Sequence, residues 1–291
     1  MKLCELFGNT FKALRPVAKA KVAEMARQQL ILYPDGPLVE RHLSCNSTFC
    51  RAAVACGYLS QEQMQQAAMR YRLGMSRDGG VIFWQIDQLG QVFDGKIMYY
   101  RSDCHRDHSH NPTWVSSVLK TFYQPPVDIM SEHCLFGLHL LRTFKTPSNS
   151  PCLGGEHRGV APLPKQGKAT GEFGGAVAIV ESEKTAVIMS ERFPKYLWLA
   201  TGGLNELTPI KLFPLRGRKI ILFPDTDSDG TAFRLWYEQA KKAEKLLGQP
   251  VTVSALLERH ATAQQKAAKI DLVEWLPCGG AGLPTEKKPT F

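Results

Sequence analysis

Three carboxylates at the ends of apolar runs are the residues of this sequence best suited to chemistry. Glu181 closes the run Ala176–Val180, and Asp225 and Asp227 follow the run Arg218–Phe223 in Pro224-Asp225-Thr226-Asp227-Ser228-Asp229-Gly230. Carboxylates gathered without a basic partner repel one another. A hard, oxygen-seeking cation such as Mg²⁺, with Mn²⁺ as the alternative, relieves that repulsion and keeps waters that phosphate oxygens can replace. Such an ion orients a phosphate, neutralises developing charge and lowers the pKa of an attacking hydroxyl. A purely structural reading competes: Asp-rich turns cap helices, and Asp229 before Gly230 stands where it would do only that. The upstream Glu181 makes the combined pattern more specific than either part.

The elements around these residues set where they point. Ala176–Val180, Tyr196–Ala200, Arg218–Phe223 and Val251–Val253 are strand-like, and Glu183–Arg192 and Asp229–Leu247 are helix-like, with a turn at Thr201-Gly202-Gly203. This alternation over 176–276 predicts an α/β fold: an open, mainly parallel sheet with helices on both faces. Side chains at the carboxyl ends of such strands line the ligand crevice, so all three carboxylates are expected at one edge, close enough to share a cation.

A smaller α+β lobe is expected over 37–146. Residues 38–56 look helical, and Ser60 with Gln63 forms a capping-box pattern opening a helix from Gln61 to about Arg72. After Gly79-Gly80 the period becomes two. Val81–Ile86 and Gln91–Tyr100 then flank Asp87-Gln88-Leu89-Gly90 as an antiparallel hairpin. Further helices are expected near Val115–Phe122 and Leu135–Thr143. The strong turn Tyr33–Pro37 sets off a basic extension over 1–36, residues 147–175 read as a Gly-, Pro- and Ser-rich linker or loop, and 277–291 as a disordered tail.

Residues 176–235 resemble a Toprim domain, whose pattern is a strand ending in Glu and a later strand ending in Asp-x-Asp. Upstream, Tyr71-Arg72-Leu73-Gly74, the hairpin around Val81–Ile86, Gly95-Lys96 and Leu135-Phe136-Gly137 resemble, in order, the segment preceding Toprim in the catalytic core of bacterial primases. From about 38 to 276 the chain is also similar to uncharacterised Toprim proteins of bacterial mobile elements. The resemblance implies a primase-like nucleotidyltransferase in DNA replication of a mobile element, with single-stranded DNA template and nucleotides as partners. Glu181 would be the acid/base or metal-facing carboxylate, Asp225 and Asp227 would hold Mg²⁺, and Asp271, with Glu274 near it, would add a further acidic group. Solvent-facing acids on an amphipathic closing helix explain Asp271 and Glu274 equally well. Two positions depart from the pattern: Ser182 replaces the usual Gly after the catalytic Glu, and Thr185 the Asp often found in the next helical turn. A Toprim nuclease shares the metal site, and a non-catalytic nucleic-acid-binding accessory protein fits the two departures. The template-reading zinc-ribbon module of a complete primase is expected to be absent or supplied, like a helicase, by another chain.

Lys96, leaving the hairpin, and Lys184, opening the helix after Glu181, are the candidate phosphate contacts, against the alternative of solvated surface lysines. Phe83, Trp84 and Trp114 could stack bases or belong to the core. The net charge of +9 raises the odds of a polyanionic partner, and its excess lies early: residues 1–75 hold ten Lys/Arg against five Asp/Glu. The eight cysteines include no CxxC pair, so no zinc is predicted. The cluster Cys104, His105, His108 and His110 reads as an exposed loop, with inward zinc ligation as the alternative. No apolar run nears the ~20 residues of a membrane span, and a soluble, cytoplasmic protein without membrane contact is expected.

Overall fold

Local capping and strand alternation build the first lobe. The structure, a computed structural model, describes residues 36–122, 133–144 and 176–276. The helical stretch expected over 38–56 is two helices, α1 (Gly36–His42) and α2 (Thr48–Ala55). The break has two causes: Leu43 pairs with Gly74 in an antiparallel bridge, and the Ser47 hydroxyl accepts from the Cys50 amide at 3.3 Å to start α2 afresh. Helix α3 (Gln61–Tyr71) opens on the expected capping box, with Ser60 and Gln63 each accepting from the other's amide at 3.1 and 2.9 Å. Strands β1 (Gly74–Met75), β2 (Val81–Ile86), β3 (Val92–Met98) and β4 (Thr113–Trp114) form an antiparallel sheet in that order, and α4 (Val115–Phe122) follows. The hairpin pairs Phe83 with Lys96 and Trp84 with Gly95.

Every residue of β2 is buried because both faces of the sheet are covered. Val81 and Phe83 enter the main core, whereas Ile82, Trp84 and Ile86 join Val39, Val92, Ile97 and Val115 in a second cluster. Phe83 and Trp84 are therefore core residues, unavailable for base stacking. Trp114 is half-buried and stacks on His133 with ring centres 3.9 Å apart.

Strands β5 (Val177–Val180), β6 (Leu197–Ala200), β7 (Ile220–Phe223) and β8 (Val251–Val253) make the second sheet, all parallel, in the order β6-β5-β7-β8. Helix α5 (Glu183–Arg192) connects β5 to β6, and α6 (Thr231–Leu247) connects β7 to β8. These crossovers run in opposite directions along the sheet, so right-handed connections place α5 and α6 on opposite faces. In agreement, α5 packs on β5, β6 and α3, whereas α6 packs on β8 and on the 3₁₀ segment Pro209–Leu215. Two short helices, α7 (Leu256–His260) and α8 (Ala263–Ala267), lead to the closing turn of helix α9 (Leu272–Trp275). The fold is thus mixed α/β, with a four-stranded parallel sheet and helices on both faces.

One hydrophobic core runs through both sheets, from Phe49, Tyr71 and Phe83 to Ile179, Trp198 and Trp236. The Tyr71 hydroxyl donates to the Trp198 carbonyl at 2.8 Å. Phe136 bonds to Ala200 through both backbone groups, at 2.9 and 3.2 Å, while its ring stacks on Tyr71. This bridge keeps Leu135 and Phe136 out of the helix, and the helix expected over 135–143 shrinks to a 3₁₀ turn, Leu138–Arg142. Gly137 has φ +82°, and a Cβ there would lie 2.9 Å from the Tyr71 ring. Gly137→Ala should therefore destabilise the protein by about 3 kcal/mol, combining backbone strain with overpacking. Denaturant titration checks this, and a loss under about 0.5 kcal/mol would contradict the packing described.

The extension expected over 1–36, apart from Gly36, lies outside the described residues, as do the linker 147–175 and the tail 277–291. Among the described residues no helix is long and apolar enough to cross a membrane.

Candidate metal and phosphate site at the switch point of the parallel sheet

Strand β5 has β6 on one side and β7 on the other, so the strand order reverses beside it, and ligands of open α/β sheets sit outside the carboxyl ends at such a point. Glu181 follows β5 directly and Asp225 follows β7 after Pro224, with Val180 and Phe223 paired in register just before them. Asp227 lies at the same edge. Glu181 and Asp225 are both half-buried, and no basic side chain among the described residues forms an ion pair with either. Burial, followed by the charges of Glu181 and Asp271, holds the Asp225 carboxyl well above the usual range. Burial also raises Glu181, against the pull of Lys96. Two neighbouring carboxylates that resist ionisation together are what a divalent cation would relieve, so the pair fits a hard metal ion.

Asp227 is turned toward the following helix. Its two oxygens accept from the amides of Thr231 and Ala232, each at 2.8 Å, while Asp229 accepts from the Thr231 hydroxyl at 2.9 Å. Asp227 is thus the carboxylate on the α6 N-terminus, a role the sequence had offered to Asp229. A carboxylate has about four acceptor positions, so these two amides do not fill Asp227. Among the described residues no set of three or more His, Cys, Asp or Glu side chains forms a group able to hold a metal. The carboxylate site is accordingly a pair, Glu181 with Asp225, rather than a finished ligand shell.

The two departures from the Toprim pattern have simple local explanations. Ser182 has φ −94° and ψ 138°, extended backbone that needs no glycine. The Thr185 hydroxyl donates to Asp271 at 2.7 Å. Both candidate lysines meet carboxylates. Lys96 reaches across from β3 to Glu183 at 3.2 Å and donates to the Gly202 carbonyl at 2.6 Å. Gly202, with φ +90°, supplies the turn that presents this carbonyl. Lys184, 8% exposed, pairs with Asp271 at 3.0 Å and Glu274 at 3.2 Å. Asp271 also caps α9 through the amides of Val273 and Glu274.

A cleft of about 340 Å³ opens onto this edge, and its opposite wall is the loop that the sequence presented as simply exposed. Arg101, His105, Arg106 and His108 line it together with Lys269, facing Asp225, Asp271 and Glu274. A bridge between Tyr100 and Arg106 folds the loop inward. The Arg106 Nε is buried without a hydrogen-bond partner. Cys104 and Lys269 adopt left-handed backbone, φ 60° and 54°, a conformation that non-glycine residues favour little. The Cys104 thiol is buried and pushed up to about 12, His110 stacks on Tyr99, and His105 sits 3.4 Å from Glu274. The cluster is therefore splayed, and its basic members serve the cleft wall. Their density in Arg101–His110 was the available sequence signal; its meaning depended on a fold-back that no local pattern encodes.

Fold and site together define an α/β protein with an acidic pair at the switch point of a parallel sheet and a basic wall across a cleft. The chain belongs to the family described as a domain of unknown function (DUF6371), whose model matches residues 52–158 and 165–226, more than half of the sequence. The match includes Glu181 and Asp225 and spans parts of both sheets. Neither a curated protein nor a solved structure matches the chain.

Proposed function

We propose that this protein is a Mg²⁺-dependent nucleic-acid enzyme with a Toprim-type sheet, a primase-like nucleotidyltransferase acting in DNA replication of a mobile element. The observation that carries the proposal is the placement of Asp225 in one cleft with Arg101, Arg106 and Lys269, with Glu181 at the end of the adjoining strand. Glu181 and Asp225 would hold the cation, with Asp227 offering its remaining acceptor positions. The ion, Mg²⁺ or Mn²⁺, would neutralise charge on the phosphate and lower the pKa of the attacking hydroxyl. The basic wall binds and orients the phosphates of a single strand or a nucleotide. A Toprim nuclease would use the same groups. The non-catalytic accessory reading draws support from the internal pairing of Lys96 and Lys184.

Single-strand binding measured by anisotropy, with Mg²⁺ and with chelator, tests the cleft. Arg106→Ala with Lys269→Ala should weaken binding roughly tenfold, the effect of losing about two phosphate contacts. Asp225→Asn with Asp227→Asn should leave metal-free binding unchanged or tighter, because local repulsion falls while the basic wall remains. Parental affinity in the basic-wall variant would remove the cleft from the nucleic-acid path.

A further inference from the structure

Four carboxylates face this edge, in two pairs with opposite circumstances. Glu181 and Asp225 form no ion pair among the described residues, whereas Asp271 and Glu274 share Lys184. The acceptor positions of Asp271 are full. One oxygen accepts from the Val273 and Glu274 amides, each at 2.9 Å, and the other takes the Thr185 hydroxyl at 2.7 Å and the Lys184 ammonium at 3.0 Å. These four contacts match the roughly four lone-pair positions of a carboxylate, leaving none for a metal. Glu274 is similarly engaged: one oxygen meets Lys184 at 3.2 Å and lies 3.4 Å from His105, while the other accepts from the Asp271 amide at 3.3 Å. Lys184 and Thr185 come from the first turn of α5, immediately after Glu181, so one helix start delivers both groups that hold α9 in place. A buried ammonium, 8% exposed, persists only while its partners do, which ties Lys184 to this pair.

We infer that Lys184 is a built-in cation of the acidic cleft, so that the site takes one divalent ion, at Glu181 and Asp225, and Asp271 serves Lys184 instead of the metal. The inference rests on the metal reading of Glu181 and Asp225 and adds the stoichiometry that the chain imposes. In the whole protein, a metal at Asp271 would have to displace the ammonium and break the hydroxyl contact of Thr185. Removing the ammonium should expose a second binding place at Asp271 and Glu274.

Mn²⁺ titration of the full chain without nucleic acid, counting bound ions by the electron paramagnetic resonance of free Mn²⁺, decides the matter. The parent should bind one ion per chain. Lys184→Met should bind two, and adding Asp271→Asn to it should return the count to one. Asp271→Asn alone should leave the affinity for the parental ion within about threefold. Two ions in the parent would overturn the inference while leaving the metal reading intact. No ion in the parent would overturn both. A folded Lys184→Met that still binds one ion contradicts the inference, as does a tenfold or greater loss of affinity in Asp271→Asn. The last comparison remains decisive if circular dichroism shows Lys184→Met unfolded.

Discussion

Asp225→Asn is expected to stabilise the metal-free protein, by on the order of 1 kcal/mol, while lowering metal-dependent turnover on nucleic acid roughly a thousandfold. The two effects have one source. Burial and the charges of Glu181 and Asp271 make an ionised Asp225 unfavourable, so its folded-state pKa lies above its unfolded value. A group raised in this way contributes stability that is fully present below the unfolded pKa and is lost as pH rises through the folded one. Metal-free parent protein should therefore lose stability over that rise, and Asp225→Asn should lack that part of the loss. At acidic pH, where Asp225 is protonated in both states, the two melting curves should converge. Added Mg²⁺ or Mn²⁺ should raise the parental melting temperature and leave the variant nearly unmoved. A variant less stable than the parent at neutral pH, with turnover preserved, would take Asp225 out of the site.

Lys96→Met should cost about 3–5 kcal/mol, the penalty for leaving a buried charge unpaired. Glu183 is 3% exposed, and Lys96 meets both its carboxylate oxygens, at 3.2 and 3.3 Å, besides holding the Gly202 carbonyl. The Met side chain keeps much of the aliphatic stem, which isolates loss of the ammonium from loss of packing. Glu183→Gln in the same chain should restore most of the stability, because the stranded carboxylate is gone. Equilibrium unfolding in urea of the parent, each single variant and the double variant gives the coupling. A single-variant loss under 1 kcal/mol would mean that this ion pair does not join the antiparallel sheet to the parallel one.

What the sequence disclosed follows from the range over which each feature is determined. The capping box at Ser60 and Gln63, the hairpin pairing of Val81–Ile86 and the apolar runs before Glu181 and Asp225 depend on neighbours a few residues away. They were legible without coordinates. The division of 38–56 into α1 and α2 depends on Leu43 meeting Gly74, and the short 3₁₀ turn at Leu138–Arg142 depends on Phe136 pairing with Ala200. Neither contact leaves a local trace. The site divides in the same way. Placement of Glu181 and Asp225 at one edge follows from parallel strands, whereas the engagement of Asp227 with α6, the ion pairs of Lys96 and Lys184, and the inward fold of the loop from Arg101 to His110 are tertiary facts. Composition flagged those lysines and arginines as basic; only the packing of α9 and the hairpin shows which of them already have partners.

Incubation of the purified chain with a single-stranded DNA template, ribonucleotides, deoxyribonucleotides and Mg²⁺ or Mn²⁺, resolved on one denaturing gel, tests the proposed chemistry most directly. Newly synthesised strands should appear in the parent, vanish with chelator, and be absent from Glu181→Gln and Asp225→Asn preparations that retain the parental circular dichroism. A shortened template in place of a new strand would keep the metal site and replace synthesis by cleavage. Products of equal yield from the parent and both variants, or no product from the parent with either metal, would contradict the assignment of Glu181 and Asp225 as the centre of a metal-dependent nucleic-acid enzyme.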